Sequence, residues 1–177
     1  MLNYDDTIAI DEVSAAPALR HTLRRRVRHA LLTHAADAPR VVRVTIDLDA
    51  VDPLGWLRAQ SHSEQLYWSG RSVASAAAAV GVAERLQTTT NADPDRTALE
   101  QQLQARFNQV DPDVAVRYYG GWAFDPAQPL DDGWSTFGTQ RFVLPRFELR
   151  TEASGTATLA CNLILPRDGR RTETILN

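Results

Sequence analysis

Apolar residues recur along this chain with two different periods. Val42, Val44, Ile46 and Leu48 alternate with Arg43, Thr45 and Asp47, the two-residue period of a strand with one face on a core. Thr156 to Leu165 repeats the pattern and puts Ala157, Leu159, Cys161, Leu163 and Leu165 on one side. Between Pro17 and Ala36 the period changes. There Leu19, Leu23, Val27, Ala30 and Leu31 recur at three and four residues, which predicts a helix that Pro39 stops. Another helix is predicted after Asp93, a capping residue, with Pro94 in its first position and Leu99, Leu103 and Phe107 as its stripe. It should lie on the sheet and end before Asp111-Pro112. Asp52 reads as an N-cap with Pro53 behind it, opening a short helix through Leu54, Trp56 and Leu57. Thr7 to Val13 and Gln65 to Trp68 read as short strands, and Ser69-Gly70-Arg71 as a turn. For Val73 to Leu86 the residues leave two readings: alanine propensity favours a helix, and Gly81 weakens one.

The stretch from Tyr118 to Glu148 holds two of the four tryptophans. The β-branched and aromatic runs Val114 to Tyr119 and Arg141 to Leu144, with Phe147 and Leu149 beyond, predict strands. Between them lies turn chemistry: Asp125-Pro126, Asp131-Asp132-Gly133, and Gly120-Gly121, where the backbone can take positive φ or approach another chain closely. Aromatics spaced between such turns are expected to close a core edge. After Leu165, Pro166, Asp168, Gly169 and the polar tail to Asn177 read as a loop or linker.

The order YGGWAFDP, a short variable stretch, then WSTFGTQRFVLPRFEL resembles the chorismate-utilising enzymes and, within them, the isochorismate synthases. In that family a GG-aromatic-AFDP run precedes an LPR-aromatic-E run in the first half of the chain. Upstream, VVRVTIDLDAVDPLGWLRAQ, then QLYWSGR and AAAAVGVAERL, follow the family's order of segments. The resemblance runs from Arg40 to Pro166, and Met1 to Pro39 has no counterpart in it. It implies that Val73 to Leu86 is a strand turning back after the YW pair. It also implies an α+β fold: an antiparallel sheet with helices packed on its outer face, one half of the two-sheet fold of anthranilate and aminodeoxychorismate synthase-like enzymes. The chain then divides into a variable N-terminal helix region (1–39), a family-like sheet region (40–166) and a linker (167–177) towards an absent catalytic half. A half without its partner exposes what the other half covers, so self-association is expected.

The resemblance implies chemistry that lies outside this segment. Chorismate is a small dianion, so a site acting on it needs cationic or N–H donors and help for the departing C4 oxygen. Isochorismate synthases use a lysine base to activate water, a glutamate acid and Mg2+ held by carboxylates, all in the second half of the family's chain. This sequence has no lysine: its 19 basic residues are all arginines, whose pKa is too high for a general base. No catalytic, cofactor-binding or metal residue is therefore carried over. Mg2+ is expected in the full-length enzyme and none in this segment, with chorismate and the chain's own C-terminal catalytic half as partners. The expected product serves menaquinone or siderophore synthesis. A sister reaction giving salicylate, anthranilate or aminodeoxychorismate, and a stand-alone binding or scaffold domain, are the alternatives.

Composition adds exclusions. A net charge of -3 in 177 residues gives no electrostatic reason to expect nucleic acid or membrane binding. One cysteine rules out an internal disulfide and agrees with a cytoplasmic protein. The N-terminus lacks the basic and apolar regions of a signal peptide. Other chemistry is weighed and set aside. Arg20, Arg24, Arg25, Arg26 and Arg28 read as a solvated helix face. His21, His29 and His34 lack the spacing of a helical metal pair. Asp47, Asp49 and Asp52 lack the glycine and glutamate of a calcium loop. Ser69, Ser72 and Ser75 have no nucleophile setting, and Gly120-Gly121 is too short for a phosphate loop. Cys161 reads as core. Two carboxylate pairs, Glu148 with Glu152 and Asp131 with Asp132, read as exposed strand and turn charges.

Overall fold

The computed structural model describes residues 17–33, 38–71, 75–88, 96–125 and 131–176. The expected strand at Thr7 to Val13, and the Asp93 cap with Pro94, lie outside the described residues. In chain order the elements are α1 (Pro17–Thr33), β1 (Arg40–Leu48), α2 (Pro53–Arg58), β2 (Gln65–Ser69), β3 (Ala76–Thr88) and α3 (Arg96–Phe107). They continue with β4 (Tyr119–Trp122), β5 (Gln140–Thr151), β6 (Ala157–Leu165), a 3-10 turn (Asp168–Arg171) and α4 (Thr172–Leu176). The sheet is six-stranded, ordered β1-β6-β5-β3-β2, with β4 paired to β5, and every pairing is antiparallel.

The first face is the one the alternation foretells. Val42 pairs with Leu163, Val44 with Cys161 and Ile46 with Leu159, and all six are buried together with Phe147, Leu149, Ala78 and Val80. Leu23, Val27, Ala30 and Leu31 of α1 and Leu57 of α2 complete this core. The Asp52 cap forms as expected: its carboxylate accepts from Leu54 N at 3.1 Å and Gly55 N at 2.9 Å, and Pro53 follows in the first turn. Val73 to Leu86 is settled as strand from Ala76 on, because the alanines are cross-strand neighbours in the middle of the sheet, where the neighbours' contacts override helix propensity.

Several expectations need correction. The chain beyond Pro166 is not a loop but a 3-10 turn and a short helix. Asp168 is buried in the 3-10 turn, and Ile175 and Leu176 of α4 close the first core against α1. Val114 to Tyr119 is not a strand except at its last residue. The run crosses the sheet in irregular form, with Val116 and Tyr118 packed on a second cluster of Val41, Ala83, Leu144 and Ile164. Gly120 and Gly121 are strand residues, opposite Phe142 and Arg141. Gly120 is needed for close approach, since a Cβ there would stand 1.8 Å from the Arg141 carbonyl oxygen. Nor do the central aromatics all close a core: Phe124 and Trp134 are exposed, although Trp122 makes an edge contact with Phe142 at 4.7 Å.

α3 does lie on the sheet, through Leu99 and Leu103 against Leu86 and Phe142, while Phe107 stays largely exposed and touches Tyr118 edge-on. Pro145 sits mid-strand in β5, where it has no N–H to give the ladder. The opposite strand answers with a bulge between Val82 and Glu84, and Asn162 donates its side-chain amide to the Pro145 carbonyl at 2.8 Å. No helix among the described residues is long and apolar enough to cross a membrane.

Candidate functional site

The polar residues that the strand alternation sends away from the first core are not all in water. On β5, Arg146 and Glu148 alternate with buried Phe147 and Leu149, and both are themselves buried. Glu148 meets Arg43 of β1 at 2.6 Å and accepts from the Tyr119 hydroxyl at 2.5 Å. Arg43 also donates to the Asn162 side-chain oxygen at 3.0 Å. The expectation that Glu148 is an exposed strand charge is thus overturned. The irregular segment leading into β4 lays Tyr119 over it, and burial with the Glu148 charge and hydrogen bond pushes the Tyr119 hydroxyl far above its usual range.

Two more buried carboxylates follow the same pattern. Asp168 accepts from Arg146 at 2.6 and 3.2 Å and from the Ile164 amide at 2.7 Å. Burial alone would raise its pKa, but the Arg146 charge and hydrogen bonds, the Ile164 amide and Arg167 outweigh that and hold it below 3.8. Glu84 accepts from Tyr118 at 2.7 Å and from Arg106 of α3 at 2.9 Å, which ties the helix to the sheet. Burial, then the Glu84 hydrogen bond and charge, raise the Tyr118 hydroxyl well beyond its ordinary value.

A cleft of about 190 Å3 lies on the strands beside this network. β3 and β5 floor it at Ala79, Gly81 and Pro145, and Leu66 of β2 and Tyr119 of β4 stand at opposite sides. Glu64 and Arg141 line its rim, where Arg141 donates to both Glu64 oxygens, at 2.9 and 3.0 Å. Arg85 donates to the same carboxylate.

Among the described residues the arrangement holds charge in place through arginine–carboxylate pairs. Burial pushes the Cys161 thiol up to about 12, so the core reading of this residue stands. His21 and His29 are exposed on α1, and His34 lies outside the described residues. Ser69 is exposed, Ser75 half-buried, and Ser72 outside the described residues. Asp131 accepts from the Trp134 amide at 3.0 Å as a turn residue, and Glu152 is an exposed partner of Arg150. Asp47, Asp49 and Asp52 are exposed. Among the described residues no group of three His, Cys, Asp or Glu is placed to hold a metal, and each buried carboxylate is tied to an arginine. These residues therefore do not fit Mg2+. Sequence reasoning missed Arg43, Tyr119, Arg146, Asp168 and Glu84. The one available signal was Arg146 and Glu148 sharing a side of a strand within an otherwise apolar run.

The described residues thus form a six-stranded antiparallel sheet whose buried carboxylates are paired with arginines. Residues 25–177 match the chorismate binding enzyme family, and the chain belongs to it. Among curated relatives it is similar to the salicylate biosynthesis isochorismate synthase of Pseudomonas aeruginosa, 28% identical over 151 residues that make up 84% of this chain and 31% of that protein. Its fold is similar to that of MenF, the menaquinone-specific isochorismate synthase from Escherichia coli, with a TM-score of 0.50 and 24% identity over 86% of this chain and 32% of that one. The chain spans about a third of the length of these relatives. The family match starts inside α1 and takes in α4, so it is wider than the stretch that carries the motifs.

Proposed function

We propose that this segment is the N-terminal scaffold of an isochorismate synthase, a Mg2+-dependent cytoplasmic isomerase that converts chorismate to isochorismate for menaquinone or siderophore synthesis. The observation that carries the reading is the family match over residues 25–177, taken together with relatives about three times as long. The rest of the protein supplies the lysine base, the glutamate acid and the carboxylates for the metal: this stretch has no lysine, and among the described residues its buried carboxylates are paired with arginines. Its own part is to present one sheet of a two-sheet fold, covered on one face by α1, α2 and α4.

Exposed Tyr67, Trp68, Trp122, Phe124 and Trp134 favour a surface that the remaining chain covers. On its own the segment self-associates through them. The test is incubation of the protein in its full natural length with chorismate and Mg2+, with products read by proton NMR. Isochorismate is the expected product. Salicylate, anthranilate or aminodeoxychorismate would place the protein with a sister reaction, and no turnover with or without glutamine would favour a recruited scaffold.

A further inference from the structure

We propose that residues 1–16 of this chain dock along the arginine row of α1 and place apolar side chains in the cavity at its far end. This does not depend on the isomerase reading. α1 carries five arginines and no acidic residue. Arg20, Arg24 and Arg28 recur at intervals of four and so form one row, with Arg25 beside it. Like charges at that spacing repel, and an acidic neighbour turns the repulsion into attraction. Arg25 and Arg28 are exposed and pair with no acidic side chain of the described residues. Arg26, on the other flank of the helix, donates to the Thr45 carbonyl at 2.5 Å. The row ends at a cavity of about 510 Å3 between α1, the Leu165-Pro166 corner and the start of α4. Leu31, Leu32, Leu165 and Pro166 give it apolar walls, and Arg28 and Arg170 are its cations. Leu32 is 73% exposed there.

The stretch ahead of α1 has the complementary chemistry. Residues 1–16 hold Asp5, Asp6, Asp11 and Glu12 and no basic residue, together with Leu2, Tyr4, Ile8, Ile10 and Val13. The length also fits. Sixteen residues reach at most roughly 50 Å, and α1 is about 25 Å long, so a chain running back from Pro17 along the helix can arrive at the cavity. Tethering favours this occupant over an acidic partner in solution, because its effective concentration is on the order of millimolar. An exposed ion pair adds little by itself, so apolar contact in the cavity supplies most of the attraction and the charges set the direction.

The test places a nitroxide on Asn3→Cys. Cys161 is buried and its thiol is raised to about 12, so the label goes to residue 3 alone. Paramagnetic broadening of amide NMR signals is expected from Arg28 to Leu32 and from Gly169 to Thr172, and it should weaken in about 0.5 M NaCl. Arg25→Glu with Arg28→Glu should cut it at least about threefold, as expected when exposed ion pairs are reversed. Adding Asp5→Arg and Asp6→Arg should restore it, a recovery that general damage to α1 would not give. Absent or evenly spread broadening, broadening on another face, no response to the arginine changes, or no recovery on the charge swap would each overturn the proposal.

Discussion

The two sets of alternating positions on the sheet solve burial in opposite ways. One set, Val42, Val44 and Ile46 with Ala157, Leu159, Cys161, Leu163 and Leu165, is apolar and sealed by α1, α2 and α4. The other holds Arg43, Arg146, Glu148 and Asn162, nearly as inaccessible, under the irregular approach to β4 and the turn at Asp168. The first depends on area removed from water, which tolerates local error. The second depends on complete pairing, because a buried charge without its partner is costly while the intact pair adds little net stability.

Removing one partner is therefore the most damaging change. Asp168→Ala strands the Arg146 guanidinium, 4% exposed, and frees the Ile164 amide, so we expect a loss of about 3–5 kcal/mol in urea unfolding. A loss below about 1 kcal/mol would mean that water reaches the pair. Leu163→Ala in the apolar set should cost about 2–5 kcal/mol, depending on how far the cavity collapses. Unlike the Asp168 effect, this loss should not change with pH.

The pH dependence separates the two sets. The folded-state pKa of Asp168 is depressed, so its contribution is fully present above the ordinary value of 3.8 and disappears as pH falls through the lower folded value. Unfolding free energy against pH should show this acid limb in the parent and in Leu163→Ala, and a shallower one in Asp168→Asn. The smallest effect is expected for Tyr119→Phe, about 1–2 kcal/mol, since Glu148 keeps Arg43 as a partner. A neutral result would show that the hydroxyl bond only replaces one to water.

The apolar set could be read from the chain because a strand's period is local: Val42 to Leu48 and Ala157 to Leu165 carry it in consecutive residues. The polar set was illegible because its partners are distant. Tyr119 and Glu148 are 29 residues apart, and Arg43 and Asn162 are 119 apart. Period two marks Glu148 only as facing away from Phe147, and whether that side is wet depends on where the irregular run before β4 crosses. The final helix escaped for a related reason. Ile175 and Leu176 are too few to show a period, and they become core because α1 lies against them. Of the two readings of Gly120, positive φ or close approach, the second holds, and its strand pairing needed the register of β5.

The central claim, that this sheet is a scaffold whose catalytic residues lie elsewhere in one polypeptide, is tested most directly by the mass of the protein in its own cells. Set against the 19.6 kDa of these 177 residues, the account predicts a species about three times as heavy, in keeping with relatives of which the chain spans 31% and 32%. A native mass per chain of 19.6 kDa would contradict it and leave the sheet as a binding domain in its own right.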